Sequence, residues 1–277
     1  MESPGLETGG KILERQPWEA ALMVSSGQCL TLCISSGKGG VGKTSLAVNL
    51  AFALLQRGER VLIVDGDLGL ANVDVMLGIS AKQTIQDVIE RGGDPMESIV
   101  YPDPNLGVLP ASSGVPHMVS LGPEEQDQIG DILSGFFCPF SCIVIDTAAG
   151  IGSSVLWFNE FAQHNVVLLN ADPTSLTDVY ALVKVLSGEY GRKRFHVLLN
   201  SVSSKREARQ TYESLANAAR KFLSLDLSYF GAIPKDDAVQ NAVRRQVPFV
   251  QGAPKSSAAL AVHGIAKKVL ALNRAGE

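Results

Sequence analysis

Residues 35–45 read S-S-G-K-G-G-V-G-K-T-S, and an apolar run at residues 29–34 comes directly before them. A helical pattern follows at residues 46–55. A strand, a glycine-rich loop and a helix in this order are the context in which G-x-x-x-x-G-K-[ST] forms a phosphate-binding loop. The glycines let backbone N–H groups line an anion site, and the helix N-terminus adds positive potential. We therefore predict that residues 37–45 bind the phosphates of a nucleotide.

Two lysines in this loop have different predicted roles. Lys43 can reach the β- and γ-phosphates, and the Thr44 hydroxyl beside it can ligate Mg²⁺. Lys38 is a second cation within the loop, and two nearby ammonium groups repel unless an anion lies between them. That anion belongs to the nucleotide or to a partner. The predicted nucleotide-binding residues of the loop are Gly37, Lys38, Gly39, Gly40, Val41, Gly42, Lys43, Thr44 and Ser45.

The composition predicts one globular domain in a reducing compartment. The chain has 277 residues, of which 45% are hydrophobic and 19% charged, and its net charge is −4. This length suits a single α/β domain of roughly 250 residues. We predict a flexible N-terminal tail at residues 1–27, with a candidate partner-docking helix at residues 16–23, followed by one folded domain at residues 28–277. The acidic balance disfavours direct nucleic-acid binding.

Cysteine usage and the termini favour a cytoplasmic location. Cys29, Cys33 and Cys142 lie in or beside apolar runs, where buried free thiols are common. No apolar run has the length needed to span a bilayer. The N-terminus lacks the basic region and apolar core of a signal peptide. We therefore predict a cytoplasmic protein whose cysteines belong to the core.

Strands and helices alternate along the rest of the chain, which predicts an α/β fold. We expect a mainly parallel sheet of seven or eight strands with helices on both faces. Predicted strands cover residues 29–34, 60–65, 106–109, 142–146, 165–169, 195–199 and 227–233. Beyond the first helix, predicted helices cover residues 84–91, 205–223 and 256–272, and two others end at residues 186 and 245. Thr174 or Ser175 is the expected N-cap of the helix that ends at residue 186.

Two of the predicted strands end in acidic residues. Residues 60–65 lead into D-G-D-L-G-L-A-N-V-D at residues 65–74, and residues 142–146 end in Asp146. Ligands of open α/β sheets bind at the carboxyl ends of the strands, so both acids should face the phosphates. We predict that Asp67 orients the attacking water and contributes to the metal site, and that Asp146 holds Mg²⁺ directly or through water. An acidic turn that caps the next helix is the alternative for Asp67.

Asn200 follows the predicted strand at residues 195–199. Its side-chain amide offers both a donor and an acceptor, which is the pattern that an adenine edge requires. From the sequence alone, an Asx turn at the strand end is the better explanation. Both interpretations stay open at this point.

Residues 29–272 resemble the MinD/ParA family of ATPases, whose deviant phosphate-binding loop has the pattern K-G-G-V-G-K-T. Three stretches, at residues 65–74, 145–152 and 173–182, resemble the branch of flagellar-number regulators called FlhG or FleN. The resemblance implies the three-layer sandwich of P-loop NTPases. It also implies a homodimer that forms with ATP and Mg²⁺ and hydrolyses ATP to ADP and phosphate.

The resemblance also assigns roles to residues. It places Lys38 at the phosphates of a dimer partner, and Lys43 and Thr44 at phosphate and Mg²⁺. It gives Asp67 a role in hydrolysis and Asp146 a role in the metal site. It further places Asn200 and the turn formed by Ile233 and Pro234 at the adenine. The predicted catalytic residues are thus Lys38, Lys43 and Asp67, and the predicted metal-site residues are Thr44, Asp67 and Asp146.

The implied partners are the flagellar GTPase FlhF and a flagellar master transcription activator of the FleQ type. Some FlhG proteins activate FlhF through an N-terminal D-Q-A-x-x-L-R helix, of which residues 15–22 keep only Gln16. Relatives often end in a membrane-binding amphipathic helix, which leaves a polar or membrane-peripheral location open. Here we expect the apolar stripe at Ala261, Ile265, Val269 and Leu272 to pack on the sheet.

Three other functions stay open. A partitioning or positioning ATPase for chromosomes, plasmids or the division site would need a basic surface, which the net charge disfavours. An iron–sulfur carrier would need cysteines after the second acidic strand, and residues 147–277 contain no cysteine. A small-molecule kinase of the same superfamily is disfavoured by Lys38.

Overall fold

The computed structural model describes residues 29–69, 72–92, 94–111 and 121–274. The tail and docking helix predicted within residues 1–27 lie outside these ranges. The strands are β1 Leu30–Ser36, β2 Val61–Gly66, β3 Val100–Asp103, β4 Leu106–Leu109, β5 Cys142–Ala149, β6 His164–Leu169, β7 Phe195–Val202 and β8 Ser228–Pro234. They form one eight-stranded sheet in the order β3-β4-β2-β5-β1-β6-β7-β8. All neighbours are parallel except the pair β3–β4. The predicted fold class is confirmed.

The α-helices cover both faces of this sheet. They are α1 Lys43–Leu55, α2 Val73–Leu77, α3 Ile85–Arg91, α4 Pro123–Gly135, α5 Ser153–Phe161, α6 Pro173–Gly188, α7 Lys205–Leu223, α8 Asp237–Arg244, α9 Phe249–Gly252 and α10 Ser257–Arg274. The short α2 and α9 and the longer α4 and α5 are additions to the predicted elements. The antiparallel edge strand β3 is a further addition.

The predicted N-cap of α6 was wrong. Asp172, rather than Thr174 or Ser175, occupies the cap, because its Oδ1 accepts a hydrogen bond from the Ser175 backbone N–H at 2.8 Å. Pro173 then takes the first helical position, where its missing N–H costs nothing. The helix therefore begins earlier than expected, which brings its first turn beside the phosphate-binding loop.

Alternation along β1 divides the core between the two faces. Leu30, Leu32 and Ile34 pack with α1 and α10 in one buried cluster. Cys29 and Cys33 point to the other face, where they pack with α4 and α5. Cys29, Cys33 and Cys142 are all buried free thiols, as predicted.

The C-terminal helix α10 packs on the domain as the sequence predicted. Ile265 and Val269 are buried in the cluster that contains α1, and Ala261 and Leu272 pack against its border. Lys268 Nζ also donates to the carbonyl of Phe230 on β8 at 2.7 Å. Among the described residues, no helix combines the length and apolarity that crossing a bilayer requires.

The strand order fixes where a ligand can bind. β1 lies between β5 and β6, and neither is its neighbour in sequence. The connections from β1 and β5 therefore leave in opposite directions, which opens a crevice at their carboxyl ends. The loop at residues 37–42 lies at this point.

Candidate nucleotide-binding site

The loop between β1 and α1 fits its surroundings because two positions are glycine. Gly42 has a φ of +96°, and a Cβ there would lie 2.4 Å from Asn200 Nδ2. At Gly37 a Cβ would lie 2.2 Å from the backbone carbonyl carbon of Asp178 on α6. Any other residue at these positions would push the loop away from α6 or from the end of β7.

Lys43 is buried at the start of α1, with 8% of its surface exposed. Its Nζ donates to Ser36 Oγ at 3.0 Å, and that hydroxyl donates to the Lys38 carbonyl at 2.7 Å. Burial lowers the pKa of Lys43, while the negative charges of Asp146 and Asp67 act in the opposite direction. The ammonium group is thus held in place by the Ser36 hydroxyl and lies near the carboxyl groups of Asp146 and Asp67.

Asp65 and Asp146 lie opposite each other in the register of β2 and β5. Both are 1% exposed. Burial raises the pKa of Asp146 to about 8, and the negative charge of Asp65 adds to the effect. Burial likewise raises the pKa of Asp65 to about 6, against the hydrogen bonds that it accepts from backbone N–H groups. Two adjacent buried carboxyl groups therefore favour a bound cation.

The residues present fit a magnesium ion. The Thr44 hydroxyl hydrogen-bonds to the Asp146 carboxyl group, and Asp146 Oδ1 is buried with no hydrogen-bond partner among the described residues. Mg²⁺ is usually held by one or two carboxylates together with water and substrate phosphates. No group of three or more His, Cys, Asp or Glu side chains suited to a metal occurs in the described ranges. The remaining ligands would therefore come from phosphate oxygens and water.

Asp65 has a role that the sequence analysis did not assign. Its carboxylate accepts hydrogen bonds from three backbone N–H groups: Asp67 at 3.1 Å, Asn72 at 3.0 Å and Val73 at 3.2 Å. The two ends of the acidic loop are thus fixed to a single side chain. Asp67 itself is half-buried, and its charge lies close enough to Lys43 to oppose, together with Asp146, the lowering of the Lys43 pKa by burial. The sequence signal for this role was the position of Asp65 at the end of a buried strand, directly before the glycine of D-G-D.

Lys38 lies at the surface and contacts α6 of its own chain. Its Nζ donates to Thr174 Oγ1 at 2.7 Å and to Asp172 Oδ1 at 3.4 Å. The hydroxyl of Thr174, the N–H of Ser175 and the charge of Lys38 hold the pKa of Asp172 below its usual range. These two contacts join residues 134 and 136 positions apart in the chain, so local sequence patterns did not predict them.

The loop is also tied to the segment that follows Asp146. The Gly150 backbone N–H donates to the Ser36 carbonyl at 2.9 Å, and the Thr147 hydroxyl donates to the Ile34 carbonyl at 3.1 Å. Deeper in the core, Ser35 Oγ donates to Asn159 Oδ1 on α5 at 3.1 Å. A shift of the segment after β5 therefore acts directly on the end of β1.

Asn200 contacts the loop from the end of β7. Its Nδ2 donates to the Val41 carbonyl at 2.7 Å, and its Oδ1 accepts from the Ser201 N–H at 2.9 Å. The side chain therefore contacts the next backbone N–H, which is one residue short of an Asx turn, and also holds the phosphate-binding loop. Asn200, Ile233 and Ser45 line one small cavity of about 20 Å³. Pro234 lines a separate open cleft of about 530 Å³.

Known proteins with similar sequences and structures agree with this geometry. The sequence profile of the CobQ/CobB/MinD/ParA nucleotide binding domain matches residues 32–249. The antiactivator FleN of Pseudomonas aeruginosa is 41% identical over 238 residues, which cover 86% of this chain and 85% of FleN. The flagellum site-determining protein YlxH of Helicobacter pylori is 34% identical over 224 residues, which cover 80% of this chain and 75% of YlxH.

Two solved structures of the cell division ATPase MinD share the fold. MinD of Pyrococcus furiosus matches with a TM-score of 0.74 and 26% identity, covering 88% of this chain and 99% of that one. MinD of Pyrococcus horikoshii, complexed with Mg-ADP, matches with a TM-score of 0.74 and 25% identity, covering 87% of this chain and 96% of that one. The loop and acidic residues described above lie within residues 32–249, which match the family profile.

Proposed function

This chain belongs to the CobQ/CobB/MinD/ParA family of nucleotide-binding proteins, and we propose that it is an ATP-dependent dimerisation switch that regulates the number or placement of flagella, or flagellar gene expression. The family is defined by a nucleotide-binding domain, and its MinD members include a cell division ATPase and a complex with Mg-ADP. The observation that carries the flagellar assignment is the 41% identity to an antiactivator, FleN, over most of both chains. The 34% identity to a flagellum site-determining protein supports the same output.

In this proposal the reaction is hydrolysis of ATP to ADP and phosphate. Lys43 would hold the β- and γ-phosphates, and Thr44 and Asp146 would hold Mg²⁺ with a contribution from Asp67. A bound ion would supply neutralisation of the charge that develops on the phosphate oxygens. Asp67 orients the attacking water, and Asp65 fixes the backbone on both sides of Asp67 so that its carboxylate faces the phosphates. The short loop at residues 150–152 responds to the γ-phosphate through the contact of Gly150 with Ser36.

Lys38 acts across the dimer in this proposal. Its contacts with Asp172 and Thr174 are exposed to water, where an ion pair contributes only roughly 0–1 kcal/mol. A nucleotide phosphate on a partner subunit carries more charge and accepts more hydrogen bonds, so it outcompetes these contacts. ATP on one subunit thereby recruits the lysine of the other.

Adenine recognition is assigned to the other end of the site. Asn200 keeps one amide hydrogen beyond the bond to Val41, and Ile233, which is 3% exposed, lines the same small cavity. Pro234 follows Ile233 and lines the separate open cleft. We expect the base to contact these three residues, which requires the cavity of about 20 Å³ between Asn200 and Ile233 to widen.

Binding of ATP would order the loops after Asp65 and Asp146 and create a surface that the ADP-bound protein lacks. The proposed partners are a flagellar transcription activator of the FleQ type and the GTPase FlhF. The proposed location is the cytoplasm, at the cell pole or at the periphery of the inner membrane. Direct binding of nucleic acid is not part of this proposal.

The biological test is deletion of the gene, followed by electron microscopy of flagella. We expect cells with too many or misplaced flagella, and complementation by the wild-type gene but not by a Lys43→Ala variant. In a binding assay, purified activator or FlhF should bind the ATP-loaded protein more tightly than the ADP-loaded protein. Normal flagellation in the deletion strain would contradict the proposed function.

A second candidate is a partitioning or positioning ATPase, which the fold shared with MinD favours. The same deletion strain separates the two functions. Anucleate cells, plasmid loss or misplaced septa with normal flagella would support the second candidate. Altered flagella with normal segregation would support the first.

A further inference from the structure

Two exposed valines lie on helices that leave opposite ends of the candidate site. Val75 on α2 is 60% exposed and Val243 on α8 is 46% exposed. Gln246 joins them: its backbone N–H donates to the Val243 carbonyl at 3.0 Å, and its Nε2 donates to the Val75 carbonyl at 2.6 Å. Gln246 adopts a φ of +52°, an uncommon conformation for a residue with a side chain. The valines therefore belong to one surface rather than to two unrelated positions.

Each helix is fixed to one side of the candidate nucleotide site. The first turn of α2 is held by Asp65, which accepts from the N–H groups of Asn72 and Val73. The first turn of α8 is capped by Asp236, whose Oδ1 accepts from the Ala238 N–H at 2.9 Å in the loop after Pro234. A change in either loop would therefore move one half of the surface relative to the other.

The charges beside the valines define what can bind there. Arg244 and Arg245 at the end of α8 are exposed, and neither makes an ion pair within the described ranges. We name Val75, Val243, Arg244, Arg245 and Gln246 the valine patch. Asp74, directly beside Val75, is half-exposed, so a negative charge lies at the α2 end of the patch and the two cations lie at the α8 end. This arrangement suits a protein segment with apolar side chains whose carboxylates face Arg244 and Arg245.

We propose that the valine patch is a docking surface for such a protein partner and that its shape depends on the bound nucleotide. This inference rests on the proposed function, since it supplies the surface through which the switch would be read. Contacts of ATP near Asp67 would act on the α2 half of the valine patch, and contacts of the base near Pro234 would act on the α8 half. A ligand can favour one arrangement only if it binds that arrangement more tightly.

The test uses the full-length chain with Asp67→Ala, loaded with ATP and Mg²⁺, and the purified flagellar activator as the probe. In this background the double variant Val75→Glu/Val243→Glu should bind the activator at least about 10-fold more weakly, because exposed apolar anchors are replaced by charges that repel carboxylates. Arg244→Glu/Arg245→Glu should weaken binding and reduce its salt dependence. Phe222→Glu on α7, at a position that is 66% exposed, is the matched control and should bind normally.

Light scattering with ATP is measured on each variant, and we expect the valine variant to dimerise like its parent. Equal activator binding by parent and valine variant would overturn the inference while leaving the proposed function intact. Loss of the dimer would assign the patch to the homodimer instead and also overturn it. Absence of activator binding by the parent would contradict the proposed partner and the inference together. Loss of binding to a 30-base-pair DNA probe, with activator binding kept, would make the patch a nucleic-acid site.

Discussion

The surroundings of Lys43 and those of Lys38 differ although the two lysines belong to one loop. Lys43 is buried, bonds to Ser36 and lies near the charges of Asp146 and Asp67. Lys38 is exposed, and within the described residues its side chain contacts Thr174 and Asp172 on α6. Lys43 is therefore preorganised by its buried surroundings, whereas Lys38 is held by contacts that water and salt weaken.

This difference matches two tasks. A phosphate group that binds in cis requires a fixed donor, because every degree of freedom lost on binding reduces affinity. A contact with a second subunit requires a side chain that can change partners at small cost. We therefore expect substitutions in the buried region to have large effects on nucleotide binding and on stability. Substitutions around Lys38 should act on dimerisation with little effect on either.

The largest expected effect follows from Lys43→Ala. The variant loses the buried ammonium group that faces the phosphates, so ATP should bind at least about 100-fold more weakly. Titration calorimetry with ATP and Mg²⁺ measures this, and Lys82→Ala at an exposed position is the control. Unchanged affinity in the Lys43 variant would disprove the assignment of the loop.

A second large effect is expected for Asp146→Asn. The substitution should impair Mg²⁺-dependent ATP binding but increase the stability of the protein without nucleotide. The pKa of Asp146 is raised from 3.8 to about 8, so the folded protein holds a proton that the unfolded chain releases. Stability of the wild type without nucleotide should therefore fall as pH rises from about 4 to about 8. The Asn side chain removes this penalty, and the variant should be more stable at pH 8 by on the order of 2 kcal/mol.

The measurement is thermal unfolding in the presence of a chelator at pH 5 and pH 8. ATP binding is measured separately over a series of Mg²⁺ concentrations. The stability difference between variant and wild type should grow with pH, while the Mg²⁺ dependence of ATP binding is lost. A difference that shrinks with rising pH would show that Asp146 is ionised in the folded protein without nucleotide. It would contradict the proposal that the buried carboxyl groups of Asp65 and Asp146 favour a bound cation.

The smallest expected effect concerns the contacts of Lys38 with α6. Thr174→Val removes the hydroxyl, and Asp172→Asn removes the charge while an Asn side chain still caps the helix. Both changes free Lys38, so the ATP concentration that gives half-maximal dimerisation should fall by about two- to five-fold. Analytical ultracentrifugation measures this shift. Weaker dimerisation in both variants would mean that these contacts assist the dimer rather than compete with it.

Local patterns predicted most of the fold and the phosphate end of the site. The strand, loop and helix at residues 29–55 carry their own signals, and buried strands such as β2 and β5 read as continuous apolar runs. The sequence identified Asp67 and Asp146 because they follow such runs. The edge strand β3 escaped prediction because its four residues are partly exposed and include a proline.

Features that depend on contacts between distant residues could not be predicted. The three backbone N–H groups around Asp65 converge only once the acidic loop has folded back on β2. Thr174 is separated from Lys38 by 136 positions, and its contact required the true start of α6. The bond from Asn200 to Val41 joins residues 159 positions apart, so the sequence indicated only a local Asx turn.

We propose that Lys38 completes the nucleotide site of a partner subunit. The most direct test of this role is the solution mass, by light scattering with ATP and Mg²⁺, of Asp67→Ala and of the double variant Lys38→Ala/Asp67→Ala. The first variant should be trapped as a dimer, because ATP binds and hydrolysis is blocked. The double variant should bind ATP and stay a monomer. A double variant that dimerises as fully as Asp67→Ala would contradict the role of Lys38 across the dimer.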